Sequence, residues 1–411
     1  MKRIPVILSQ RRTAFILVCL LIFPLLNALS QKPGDVNAYG FINHEDFFII
    51  KDHLLDQDSL DTDSLIRADA NQDAKVDVAD MVTIDIHTTF TIPMVYVPAC
   101  TFTMGARDDG DDGTYRHSDE LPRHEVTLSA YYMGKYEVTN GQYCEVLNWA
   151  KSMGYLENST GGSYTGGDVY KNGNLLLYVD SSYCQIIYSG SFTWKYRDTY
   201  SMVNHPVVLV SWYGSVAFCN WLSEKEGKTP DYNLSTWEMV NKTGGGYRLP
   251  TEAEWERAAA WDGSKHWIYG YTSDNGNNRN RYNHYDDLGG TDFVNPLGLS
   301  DYPYTSPVGW FNGSTQTLNS PSPVGCYDMS GNVWEWCHDW YSSTYYQGGA
   351  MTNPTGPASG SCRVRRGAAG AATRSTVVRP IASSATPRAR TPTWASACAC
   401  RLAGARAKFE V

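Results

Sequence analysis

The sequence predicts an irregular, loop-rich α+β domain over residues 93–366, preceded by a small all-α module over residues 31–90 and a leader over residues 1–30. Three observations point there. From Pro93 onward apolar periodicity is weak while aromatic residues, glycines and turn residues are dense, the pattern of short elements joined by loops. Between Gly34 and Phe90 two Asp- and Asn-rich stretches recur, each running into a segment with apolar residues at helical spacing. The chain opens basic, then apolar, then small.

Taken in order, "MKRIPVILSQRR" supplies the basic start, "TAFILVCLLIFPLLNAL" the apolar run, and "ALS" the small residues ahead of Gln31 where a signal peptidase would cut. Pro24 interrupts the run and no basic stop-transfer cluster comes after it, so a secretory signal fits better than a membrane anchor. Residues 31–366 carry 23 basic and 42 acidic side chains, a net charge of −19. That balance argues against nucleic acid or anionic lipid as a partner, and for cation binding or plain solubility. Cys100, Cys144, Cys184, Cys219, Cys326, Cys337 and Cys362 lie in this body. Export would place them in an oxidising compartment, so some disulfides are expected, with one thiol left over.

In the small module, Asp69, Asn71, Asp73, Asp77 and Asp80 fall at positions 1, 3, 5, 9 and 12 of an EF-hand-type loop, with the carbonyl of Lys75 at position 7. A hard cation needs six or more oxygens, and alternating side chains on a tight loop can supply them. The earlier stretch places Asp35, Asn37, Asn43 and Asp46 at positions 1, 3, 9 and 12, with Gly40 at the sharp turn. Both loops predict calcium, the first more weakly because Tyr39 stands where an oxygen ligand is usual. The loops start 34 residues apart. This duplicated loop-helix pattern resembles the type I dockerin, which implies docking onto a cohesin-bearing protein through residues 34–90. The residues at loop positions 10 and 11 are His44 and Glu45, then Val78 and Ala79, and they name no particular cohesin.

The large domain carries long separated motifs. "MVYVPACTFTMGA" and "DELPRHEVTLSAYYMGKYEVTNGQYCEVLNW" open it, "HPVVLVSWYGSVAFCNWLSEKEGK" and "GYRLPTEAEWERAAAW" lie in the middle, and "GCYDMSGNVWEWCHDWY" comes last. In this order they resemble the formylglycine-generating enzyme and sulfatase-modifying factor family, whose fold is a variant of the C-type lectin fold. Two helices are readable without the family. Thr251 and Glu254 form a capping box, with Ala253, Trp255, Ala258 and Ala259 facing inward. "SWYGSVAFCNWLSEKEG" reads as an amphipathic helix ended by Gly227. His117 and His124, near Glu120 and Glu125, read as structural rather than as metal ligands. The resemblance also implies calcium on the "DMSGNVWEW" loop, through Asp328, Glu335 and the carbonyls of Gly331 and Val333, and at a second place through Asn283 and Asp301. Oxygen donors of this kind suit a hard ion.

After "CRVRRG" the composition breaks. All 28 tyrosines precede Gly367, and residues 367–411 hold seven Lys or Arg against the single acid Glu410. The family continues here with "GGS" and an aromatic residue, then "YCR" and "LGFR". Ala368–Arg374 can be written GCA GCT GGG GCA GCA ACG CGN, which regroups from each third base as Ser-Trp-Gly-Ser-Asn-Ala. Ser375–Val378 regroup likewise to Tyr-Cys-Arg, and Thr393–Cys398 to Leu-Gly-Phe-Arg-Leu. Three landmarks in one register point to a reading-frame slip near Arg365 or Arg366, so that the written chain lacks the family's closing strands. In either frame the first of the family's two reactive-cysteine positions is not cysteine, and soft Cu(I) needs the thiolate pair. Copper and formylglycine generation are therefore not expected. The expectation is a secreted binding or accessory module of unknown ligand. An oxidase acting on sulfatase cysteines and an adhesive cell-surface protein are the alternatives.

Overall fold

The computed structural model describes residues 92–109, 117–241, 245–274, 280–283, 296–314 and 317–367, and the backbone of three short strands beyond them. The chain divides into two units, Met1–Thr91 and Ile92–Val411. Residues 1–30, expected to be a leader, and every expected ligand of the small module (Asp35, Asn37, Asn43, Asp46, Asp69, Asn71, Asp73, Lys75, Asp77 and Asp80) lie outside the described residues.

Among the described residues the large unit is built, as the weak periodicity predicts, from three α-helices and many short strands. β1 (Met94–Val97) pairs antiparallel with β4 (Tyr131–Gly134). β2 (Cys100–Met104) pairs antiparallel with β3 (His124–Leu128), whose burial alternates strictly as a half-buried strand should. A two-residue β5 lies at Tyr247–Arg248, the seven-residue β6 is Trp334–Trp340, β7 is Met351–Thr352 and β8 is Arg363–Gly367. β6 and β8 pair antiparallel from Trp334 opposite Gly367 to Trp340 opposite Arg363. β7 lies parallel to β3.

The tail departs from expectation. Ser383–Ala385 (β9) pairs with β8, Cys398–Ala399 (β10) runs parallel to β6, and Ala403–Gly404 (β11) bridges β4 and β5. Backbone hydrogen bonding is largely indifferent to side-chain identity, so a tail of altered composition still contributes short strands to both four-stranded sheets.

Each helix starts on a side-chain cap. In α1 (Asn140–Ser152) Thr139 Oγ1 accepts from Gln142 N–H at 3.2 Å while Gln142 Oε1 accepts from Thr139 N–H at 3.0 Å. In α2 (Trp212–Lys225) Ser211 caps Gly214 N–H at 3.0 Å. Gly227, at φ +68°, ends that helix as expected, its N–H bonded to Glu224 O. In α3 (Glu252–Ala260) Glu254 Oε2 accepts from Thr251 N–H at 2.9 Å and Thr251 Oγ1 accepts from Glu254 N–H at 3.3 Å, the expected capping box. Ala253, Trp255, Ala258 and Ala259 pack into one core with Val97, Phe102, Val126 and Met133 from the sheets.

His117 is exposed, with its backbone N–H donated to Glu120 Oε2 at 2.8 Å, and buried His124 sets its ring edge-on to Tyr346 at 4.6 Å. The described cysteines stand as free thiols in this structure, without the expected disulfides.

Candidate functional site

The loop joining Ser322 to β6 departs most from regular backbone. Gly325, Asp328, Gly331 and Asn332 all have positive φ (97°, 58°, 81° and 61°), a conformation open to Gly and tolerated by Asp and Asn. Gly331 is required: a Cβ there would sit 2.1 Å from Asn283 O. The loop is fastened by Asn332 N–H to Asn283 O at 3.0 Å, Gly270 N–H to Ser330 Oγ at 2.9 Å and Gly309 N–H to Asp328 Oδ2 at 2.5 Å. Replacing Gly331 by alanine is therefore expected to cost about 2–4 kcal/mol, from overpacking plus a left-handed alanine. Urea denaturation of G331A checks this, and a loss below about 1 kcal/mol would show that the loop shifts without strain.

Asn332 is the hub that sequence reading missed. Its Oδ1 accepts from Ser306 N–H at 2.9 Å, and its Nδ2 donates to Glu137 Oε1 at 3.1 Å. Asn283, 1% exposed, donates from Nδ2 to Tyr304 O at 2.7 Å, while its Oδ1 is buried without a hydrogen-bond partner among the described residues. The only signal for Asn332 was a Gly-Asn pair ahead of an aromatic run, which also reads as an ordinary turn.

Of the implied calcium ligands, Asp328 is buried beside Tyr136, whose hydroxyl is pushed up to about 12 by burial and by that carboxylate. Glu335 is fully buried, with Oε2 accepting from Trp255 Nε1–H at 2.8 Å. Gly331 and Val333 lie on the loop between them, Val333 packed with Val208, Leu209 and Tyr302. Asn283 joins this loop through its backbone carbonyl. Asp301 is exposed, with Oδ1 accepting from Tyr302 N–H at 2.7 Å and its carbonyl accepting from Arg197. Among the described residues no three His, Cys, Asp or Glu side chains gather as a metal-binding group. Any cation held by this loop would need amide and carbonyl oxygens to complete its shell. The orphaned Asn283 Oδ1 is one such donor.

Behind the loop lies a buried charged layer. Arg366 donates from Nη2 to Glu256 Oε2 at 2.8 Å and pairs with Glu252 Oε1 at 3.0 Å. Glu256 Oε1 also accepts Gly105 N–H at 2.8 Å and faces His266 Nε2 at 3.1 Å. Arg248 and Glu254 form a second pair, with bonds of 2.7 and 2.8 Å. Arg363 is stacked between the rings of Trp212 at 3.7 Å and Trp340 at 3.5 Å. The thiols of this body are quiescent where they are perturbed: burial pushes Cys144 and Cys337 upward and Cys184 up to about 11, the reverse of an activated thiolate.

Residues 86–395 match the family described as the sulfatase-modifying factor enzyme 1-like domain, the same stretch that carries the Asp328–Glu335 loop and the buried Arg366 layer. The chain belongs to this family. Residues 33–85 match the dockerin type I domain. Within the sulfatase-modifying factor family, the chain is similar to the mouse (Mus musculus) formylglycine-generating enzyme, at 30% identity over 288 residues, covering 67% of this chain and 65% of that protein. It is similar also to the formylglycine-generating enzyme of Thermomonospora curvata, at 29% identity over 289 residues, covering 67% and 81%. The match spans just under two thirds of the mammalian relatives' length, 65% in mouse and 64% in Bos taurus. The solved Treponema denticola variable protein 1 aligns with a TM-score of 0.51 and 24% identity over 77% of this chain and 98% of its own, a likeness of fold alone. The α+β, loop-rich architecture is thus that of the sulfatase-modifying factor family.

Proposed function

We propose that the chain is exported by residues 1–30, docks through its dockerin type I region to a cohesin-bearing partner, and presents its large domain as a calcium-stabilised binding or accessory module. Dockerin type I domains typically bind calcium, which supports the ligand roles of Asp69, Asn71, Asp73, Asp77 and Asp80, and of the weaker first loop. In the large domain Asp328, Glu335 and the Gly331 and Val333 carbonyls would hold a further ion. Asn283 would contribute an oxygen close by, and Asp301 would serve only if its loop turned inward.

The observation that carries the non-catalytic reading is the cysteine content beyond Arg363–Gly367. In the written frame no cysteine lies between Gly367 and Cys398, and in the restored frame only the Tyr-Cys-Arg cysteine appears, the first reactive position reading serine. The positions matching the family's motif therefore lack the thiolate pair that soft Cu(I) takes, and no copper-dependent step is assigned. A reading-frame slip near Arg365 or Arg366 accounts for that tail, and resequencing the codons for Val364–Val411 tests it. The rival reading, a formylglycine-generating oxidase, is favoured by the relatives that carry that name at 30% and 29% identity.

Two measurements separate the readings. An accessory module consumes no oxygen with a sulfatase-motif peptide, and its melting temperature falls on calcium chelation and recovers on calcium addition. Copper bound one to one, together with loss of the peptide's thiol, would establish the oxidase instead.

A further inference from the structure

The hairpin of residues 186–194 lies along α1, and three contacts fix its direction. Lys151 Nζ, in the last turn of α1, donates to Gly190 O in the hairpin turn at 2.9 Å. One turn earlier, Asn148 clasps the Phe192 backbone, accepting its N–H at 2.7 Å and donating to its carbonyl at 2.9 Å. Passing from Lys151 to Asn148 thus moves from the hairpin's turn toward its open end. One further turn back, on the same face, stands Cys144. At the open end, beyond the Ile186–Trp194 pair, Lys195 N–H bonds Gln185 O at 2.8 Å, and the next residue is Cys184. Both side chains are buried, at 2% and 0% exposure. Burial pushes both thiols upward, and a Cys184 thiolate would push Cys144 further.

We infer that Cys144 and Cys184 are the cysteines that join in a disulfide when this chain folds under oxidising conditions, stapling the hairpin to α1. They stand as free thiols in this structure. The bond forms by exchange: one thiolate attacks a small-molecule disulfide, giving a mixed disulfide and one released thiol. The second thiolate then displaces the other half. Two protein thiols are oxidised and one external disulfide is reduced to two thiols. Because neither sulfur reaches water in the folded domain, exchange takes place before the hairpin docks. The inference draws its oxidising setting from the export reading but is tested without it.

The experiment refolds the full chain with oxidised and reduced glutathione, then alkylates it in denaturant without reductant and maps its peptides. The expected result is a peptide linking Cys144 to Cys184, with both escaping alkylation. Reductant should then lower the melting temperature by roughly 5–10 °C, and C184A should lose that response. Full alkylation of both residues in the oxidised, folded chain would overturn the inference, as would linkage of either one to a different cysteine. A bridge that forms on refolding but is missing from protein recovered from cells would count against export and leave the pairing standing.

Discussion

Replacing Arg366 by methionine is expected to cost about 3–5 kcal/mol of stability near pH 8, and less near pH 5. Arg366 is 1% exposed and lies between Glu252 and Glu256, one turn apart on α3, with Tyr346 Oη accepting from the same Nη2 at 3.0 Å. Methionine fills much of the volume but leaves two buried carboxylates facing each other without that cation. Burial already raises the Glu252 carboxyl, and Arg366 opposes the rise more than the Tyr346 hydroxyl does. Without it the folded-state value climbs further above the unfolded one. A raised carboxyl contributes stability that is fully present below its unfolded value and is lost as pH rises through the folded one, so the variant's deficit grows with pH. Urea denaturation of both proteins at the two pH values measures this. A deficit that is equal at both would show that Arg366 acts by packing alone, and adding Glu256→Gln to R366M should recover part of the loss if charge is the cause.

That layer marks the limit of what the sequence could say. The caps of α3 were legible because Thr251 and Glu254 lie three residues apart and act locally, as did Gly227 at the end of α2. The burial of Glu252 and Glu256 was not, since periodicity shows that they share a helix face but not that the face meets Arg366 more than a hundred residues later. The same holds for the loop site. Its peptide chemistry was visible in "DMSGNVWEW", whereas Asn332 became its centre through contacts with Glu137, Asn283 and Ser306 from three distant segments. Composition called for disulfides without being able to choose partners. The choice of Cys144 with Cys184 needed the direction in which the hairpin runs along α1.

Stability should also fall as pH rises from 5 to 8 because Asp339 loses its proton, and Asp339→Asn should remove that part of the slope. Asp339 is 2% exposed and its Oδ2 accepts Glu252 N–H at 2.9 Å in the first turn of α3. Burial, and after it the nearby Glu252 carboxylate, raises it from 3.8 to about 8. The unfolded chain loses this proton near pH 4 while the folded chain keeps it to about pH 8, so over that interval each pH unit removes up to about 1.4 kcal/mol, roughly 4 kcal/mol in all between pH 5 and 8. Asparagine keeps an oxygen for the Glu252 N–H and carries no charge at any pH. D339N is therefore expected to match the parent near pH 5 and exceed it near pH 8, read from melting temperature or denaturant midpoint. Parallel curves for the two proteins would mean that Asp339 is ionised in the fold, stabilised by the helix N-terminus and by the Arg363 cation held between Trp212 and Trp340. The folded domain binds this proton because a neutral acid can serve the N-terminal end of α3 without adding a further negative charge to a layer that already buries Glu252, Glu254 and Glu256.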